Sequence, residues 1–247
     1  MIKIERVSAP AELTPEVVAQ KTAMFKADHN QVVWREAYII QQLLGMSHSK
    51  CCYCECRVNE ESNYVEVEHF HHKDKYEDEV LLWENLLPSC KKCNVHKSDW
   101  DTVAEPIIDP TKEDPKEHLA FYSFQLRGKT DMGKLTVDVL NLNDAKHCLP
   151  RFKLCSQLTK TISELYDKAS SMTEQTTSRT KTLLRNSVIQ VLQLCQADEP
   201  YTAVKATTVL NDRNYGGIVN IFKAFDLWKE PLVTLDANMK RYQLDLE

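Results

Sequence analysis

Two cysteine pairs constrain this chain more than any other feature. Cys51-x-x-Cys54 lies in CCYCEC and Cys90-x-x-Cys93 in WENLLPSCKKCNVHK, with 35 residues between them. A C-x-x-C on a tight turn points two thiolates at one centre, so the two pairs read as half-sites of a tetrahedral four-cysteine structural Zn2+. Such an ion closes the long intervening loop and contributes folding free energy directly. Four merely buried thiols, or a redox pair, are the competing readings, and a second matching pair argues against both. Cys52 and Cys56 share the first cluster, but C-x-C spacing is too short for the usual knuckle. They read as packing or spare thiols. Cys148, Cys155 and Cys195 sit among apolar residues and read as small buried hydrophobes. With four ligands in place the ion activates water poorly, so any chemistry needs another centre.

The bulk properties set the frame. No run of 18 apolar residues occurs, and the opening MIKIERVSAPAELTPE lacks an apolar core segment. The expectation is a cytoplasmic protein with no membrane span and no signal peptide, where disulfides are rare. Formal charge is −5, from 31 basic and 36 acidic residues; residues 51–100 hold 6 Lys/Arg against 11 Asp/Glu. A chain that grips nucleic acid unaided usually carries a basic excess, and this one does not.

In order along the chain, residues 1–12 read as an extended arm in which Ile2, Ile4 and Val7 can pack. Thr14-Pro15-Glu16 is a cap followed by a first-turn proline, which predicts a helix to Ala27. A second helix is expected over 32–44, ended by Gly45. Val65, Val67 and His69 alternate with Tyr64, Glu66 and Glu68, the period-two pattern of a strand with His69 at its end. Trp83, Leu86 and Leu87 read as packing residues, and a short helix is expected from near Asn94. EPIIDPTKEDPKEH is a loop-rich connector. AFYSFQL and KLTVDVL read as the strands of a hairpin around RGKTDMG. From about 150 the pattern is helical, with 170–179 either a break or a solvated helix, a helix over 202–209, another introduced by Gly216-Gly217 and stopped by Pro231, and a mixed end able to form a final helix. The expected domains are 1–150 and 151–247.

Glu68 and His69 are the chemical pair between the cysteines. Adjacent at a strand end, they project to opposite sides, so one can hold a cation while the other takes a proton from water. His71, His72, Lys73 and Lys97 are further polar groups suited to phosphate contact. For each of them an ordinary solvated surface role is the plainer reading.

This layout resembles the HNH family of nucleases. In that family the first histidine follows an acid, here His69 after Glu68; the central asparagine lies in an Asn-Leu pair, here Asn85-Leu86; and the last position follows the final cysteine, here Asn94. The resemblance implies an α+β fold, a small ββα-metal core with a structural four-cysteine zinc embedded in a mainly helical protein. It implies His69 as general base, Asn85 as the residue that orients the base and its loop, and Glu68 and Asn94 as ligands of a catalytic divalent cation, Mg2+ or Mn2+. His96, two residues on, competes with Asn94 for that role. Over residues 1 to about 150 the pattern VEHFxxK…WxNLxxSCxxCNxxK, with IIDPTKEDPKEHLAF and LNLND, is similar to the HNH nuclease subunits of Septu anti-phage systems, some of which accompany retrons. That likeness implies a PtuA-like ATPase partner of the ABC or SMC type and DNA as substrate, with RNA or tRNA open. The helical half then reads as a contact for partner or substrate. Two other functions remain: a non-catalytic zinc-stapled adaptor, and a regulator that reads bases, which would want a basic recognition helix.

Overall fold

The computed structural model describes residues 1–59 and 64–246. The chain divides into two compact units, Met1–Leu119 with Arg127–Leu142 and Ala120–Leu126 with Asn143–Glu247. In the first unit α1 spans Pro15–Ala27. The Thr14 hydroxyl accepts from the Val17 amide, and Pro15 needs no partner in a turn whose N–H groups are unpaired anyway. Helix α2 is Ala37–Ser47 rather than 32–44. It runs through Gly45 because Leu43 and Met46, on either side, bury against the same core. It stops where His48 and Ser49 turn left-handed, at φ 53° and 54°.

The centre of this unit is a short ribbon. Strand β1, Val65–His69, pairs antiparallel with β2, Leu86–Cys90, so that Val65 faces Cys90 and His69 faces Leu86. Helix α3, Lys91–Lys97, follows β2 without a break and packs on both strands. It begins at Lys91, three residues before the expected start. The N-terminal arm braces the approach to β2. Ile2 and Ile4 are buried, while Val7 is exposed. The Ile4 amide donates to the Pro110 carbonyl at 2.8 Å, and the Arg6 guanidinium donates to the carbonyls of Trp83 and Leu86, each at 2.8 Å. The connector holds one short helix, α4, Pro115–His118.

The expected hairpin of AFYSFQL with KLTVDVL around RGKTDMG does not form; a shorter one lies within and just after the first of those runs. Strand β3, Leu119–Tyr122, turns at Ser123 and Phe124, both at positive φ, into β4, Gln125–Gly128. KLTVDVL is not its second strand. It lies in helix α5, Asp131–Val139, where the Thr130 hydroxyl caps the Gly133 amide and local capping overrides the β-branched composition. Close approach fixes Gly133: a Cβ there would lie 2.1 Å from the His118 carbonyl oxygen.

The second unit packs α6 (Ala145–Ser170), α7 (Ser178–Gln193), α8 (Thr202–Leu210), α9 (Arg213–Ala224) and α10 (Leu232–Tyr242) around Ile162, Leu165, Leu192, Phe222 and Met239. The polar stretch 171–177 breaks α6 from α7. Helix α9 begins before Gly216, because Asp212 caps the Asn214 amide at 2.8 Å. It ends at Ala224, well ahead of Pro231. Strand β5, Asp245–Leu246, lies parallel to β3. Among the described residues no helix is long and apolar enough to cross a membrane.

Two glycine substitutions separate these backbone effects. Gly133→Ala is expected to lower unfolding free energy by about 1–3 kcal/mol, because backbone must move to admit the methyl group. Gly45→Ala, with nothing within 4 Å of the new Cβ, is expected to raise it by about 0.5–1 kcal/mol. Urea denaturation of the two variants checks both signs.

Candidate active site and metal centre

The two cysteine pairs meet. The Sγ atoms of Cys51, Cys54, Cys90 and Cys93 all lie within 4.8 Å of one another, and all four residues are buried. Cys54 and Cys90 approach to 3.7 Å. A tetrahedral zinc with Zn–S bonds of about 2.3 Å separates its sulfurs by about 3.8 Å, so the donor set fits that ion. The backbone explains the convergence. In the first knuckle the Cys51 amide donates to the Cys56 carbonyl at 2.9 Å and the Glu55 amide to the Cys51 carbonyl at 3.0 Å, with Glu55 at φ 61°. The Cys52 amide donates to the Pro88 carbonyl at 2.8 Å, which fastens this knuckle to β2. In the second, Cys90 is the N-cap of α3 and its sulfur accepts from the Cys93 amide at 3.5 Å. Cys56 lies against the quartet and Cys52 touches Cys51, outside the set of four.

Beside this centre, β1 delivers Glu68 and His69 to different surroundings. His69 is 7% exposed. Its Nε2 lies 3.0 Å from the Val80 carbonyl, which only accepts, so Nε2 carries the proton and Nδ1 keeps a lone pair. Trp34 meets the ring edge-on, centroids 4.8 Å apart. Burial pushes the His69 pKa down to about 4, so the imidazole is neutral near pH 7. Glu68 is 3% exposed. Its Oε1 pairs with Lys97 Nζ at 2.7 Å and accepts from the Tyr53 hydroxyl at 3.4 Å. Burial pushes the Glu68 pKa up to about 7, with the Lys97 charge opposing the shift.

Asn85 is buried and holds a loop. Its Oδ1 accepts from the His71 amide at 2.6 Å, and its Nδ2 donates to the carbonyls of His71 and Glu79 at 3.1 and 3.2 Å. That loop ends at Val80, whose carbonyl meets His69. Asn94 is half-buried on α3, one turn before Lys97. His96 is exposed. The oxygen donors of Glu68 and Asn94 suit a hard dication in type, although Glu68 shares its carboxylate with Lys97. His71 Nδ1 pairs with Glu79 at 2.6 Å, and His72 Nε2 lies 3.6 Å from Asp74. Lys73 stands 5.6 Å from the ring centroids of both Phe25 and Trp34. Lys97, grouped by sequence with phosphate contacts, is instead 2% exposed and occupied by protein partners.

Three of these contributors, Tyr53, Trp34 and the Val80 carbonyl, escaped the sequence analysis, and Lys97 was read there in another role. Lys97 carried a signal, since it lies one helical turn after the buried Cys93. Tyr53 sits between two ligand cysteines and was legible only as packing. Trp34 and the Val80 carbonyl reach His69 from remote segments and have no local signature.

No family model matches the chain. It is 37% identical over 244 residues to the Septu protein PtuB of Bacillus thuringiensis, covering 98% of this chain and 94% of that protein. It is 28% identical over 162 residues to the Septu protein PtuB of Bacillus mycoides strain KBAB4, covering 49% of this chain and 55% of the other.

The metal centre predicts that the purified protein carries one zinc per chain. Cys51→Ala, Cys54→Ala, Cys90→Ala or Cys93→Ala should each lose the ion and unfold the ribbon, whereas Cys52→Ala and Cys56→Ala should keep it. Elemental analysis with circular dichroism before and after chelation reads both outcomes.

Proposed function

Because this chain belongs to the PtuB family of Septu proteins, we propose that it is the nuclease subunit of an anti-phage system and hydrolyses phosphodiester bonds. The observation that carries this reading is His69. It is held neutral in one tautomer at the end of β1, within a strand–strand–helix unit stapled by a four-cysteine site. That order of elements is what the HNH resemblance leads one to expect.

In the proposed reaction His69 Nδ1 takes a proton from water as the water oxygen bonds to phosphorus, and the bond from phosphorus to the leaving oxygen breaks. Nε2 keeps its bond to Val80 when the ring is protonated, while burial, which pushes the His69 pKa down to about 4, opposes that charge. Asn85 acts at one remove, by holding the loop that ends at Val80. A divalent cation held by Glu68 and Asn94 would stabilise charge on the phosphate and leaving oxygen. Trp34 covers the base, so its loop must shift for substrate to enter.

The proposal includes a PtuA-like ATPase of the ABC or SMC type as partner, and DNA ahead of RNA as substrate. Its motive is the charge: the chain is acidic overall and is not equipped to hold a polyanion alone. One observation favours the alternative, a non-catalytic zinc-stapled adaptor, namely the 7% exposure of His69.

Co-expression with a PtuA-like ATPase, then incubation of the complex with labelled DNA or RNA and Mg2+ or Mn2+, separates the two. His69→Ala is expected to reduce cleavage by about 10²–10⁴-fold while leaving zinc content and complex formation intact. Equal cleavage by wild type and His69→Ala removes the assignment, and absence of cleavage by both supports the adaptor.

A further inference from the structure

Lys97 is the most completely enclosed cation beside the candidate base. Its side chain is 1% exposed, and its ammonium lies 2.7 Å from Glu68 Oε1 and 2.8 Å from the main-chain carbonyl of His69. A lysine so enclosed loses its hydration and is stable only where acceptors replace the water. Here one acceptor supplies charge, and the other is the backbone of the residue that would take the proton. Tyr53, from the first cysteine knuckle, reaches the same carboxylate, and α3 grows directly out of the second. Both half-sites of the metal centre therefore converge on the peptide that carries His69.

We propose that Lys97 is a positioning residue for His69: clamped by Glu68, its ammonium holds the His69 carbonyl and so fixes where the end of β1 places the imidazole. This rests on the nuclease reading of His69 and adds to it a residue that does not touch substrate. A surface lysine in the same stretch would serve as a phosphate contact. Lys97 cannot do so while it is enclosed by these two partners. The backbone bond constrains the ring because His69 is the last residue of its strand. Beyond it the chain turns away, with the Phe70 amide donating to the Asn85 carbonyl at 2.9 Å and the Phe70 carbonyl accepting from Thr102 at 2.8 Å. Without Lys97, the His69 carbonyl loses its donor, and the Nε2 bond to Val80 has to hold the ring from one end.

The test uses the full chain with its ATPase and three forms: wild type, Lys97→Met, and the double variant Lys97→Met/Glu68→Gln, which leaves no unpaired buried charge if the single variant fails to fold. Zinc content reports on the fold. The 15N spectrum of histidine-labelled protein, with the His69 signals assigned from His69→Ala, reports the tautomer. Lys97→Met is expected to lower kcat by about 10²-fold with KM unchanged. His69 should pass from one tautomer to a mixture, and zinc should be retained. The double variant should show the same mixture. Unchanged kcat, or a single unchanged tautomer in a zinc-loaded variant, overturns the proposal. A raised KM with unchanged kcat also overturns it and makes Lys97 a substrate contact. A wild-type complex that cuts neither DNA nor RNA overturns the nuclease reading instead, while the spectrum still reports whether Lys97 holds the ring.

Discussion

Four thiolates around one ion are the constraint on which the first unit depends. Its ribbon has two strands of five residues each, and an isolated two-stranded ribbon is marginal in water at best. Helix α3 has seven residues, too few to be stable alone. Neither element has the length to hold the other by packing. Four cysteine sulfurs within 4.8 Å cannot all ionise without a cation between them, and with one they bind together a turn, a strand end and a helix start. The metal therefore supplies the cohesion that a larger core supplies elsewhere.

The candidate base inherits that rigidity. His69 lies at the opposite end of β1 from Val65, which pairs with the metal-binding Cys90, so it is a strand's length from the zinc and outside its coordination sphere. What joins the two centres is the buried group of Tyr53, Glu68 and Lys97. A charged pair of this kind costs desolvation that its mutual attraction only about offsets, so it is weak evidence for stability as such. Its specificity is stronger evidence. One carboxylate receives a hydrogen bond from a side chain of the first knuckle and an ion pair from the helix that begins at the second. Strand alternation sends Glu68 towards that group and His69 towards Trp34 and Val80.

Much of this was legible in the chain because the signals were local. C-x-x-C spacing gives ligands, period-two alternation places His69 at a strand end, and Thr14-Pro15 starts a helix. Misreadings arose where composition and capping disagreed. KLTVDVL has the residues of a strand, yet Thr130 caps the turn before it and the segment is helical. Gly45 and Gly216 looked like boundaries, but both lie inside helices whose apolar faces continue past them. The surroundings of His69 were beyond reach for a different reason. Trp34 and Val80 arrive from 35 residues before and 11 residues after it, and only the closed fold brings them to the ring.

The acidic balance has a structural counterpart that bears on how substrate could be held. Several basic side chains of the first unit are already engaged by carboxylates: Lys97 with Glu68, Arg35 with Glu66, Lys75 with Asp101, Lys26 with Asp78 and Lys73 with Asp74. Phosphate binding at any of these sites must compete with a carboxylate already in place, so it releases few counterions in exchange. The electrostatic term that dominates non-specific nucleic-acid binding is accordingly small for this surface. A surface built this way gains little from meeting a polyanion unaided. On the proposed nuclease reading, the same ion pairs that order the site leave the grip on substrate to a partner, and Trp34 meets the candidate base edge-on.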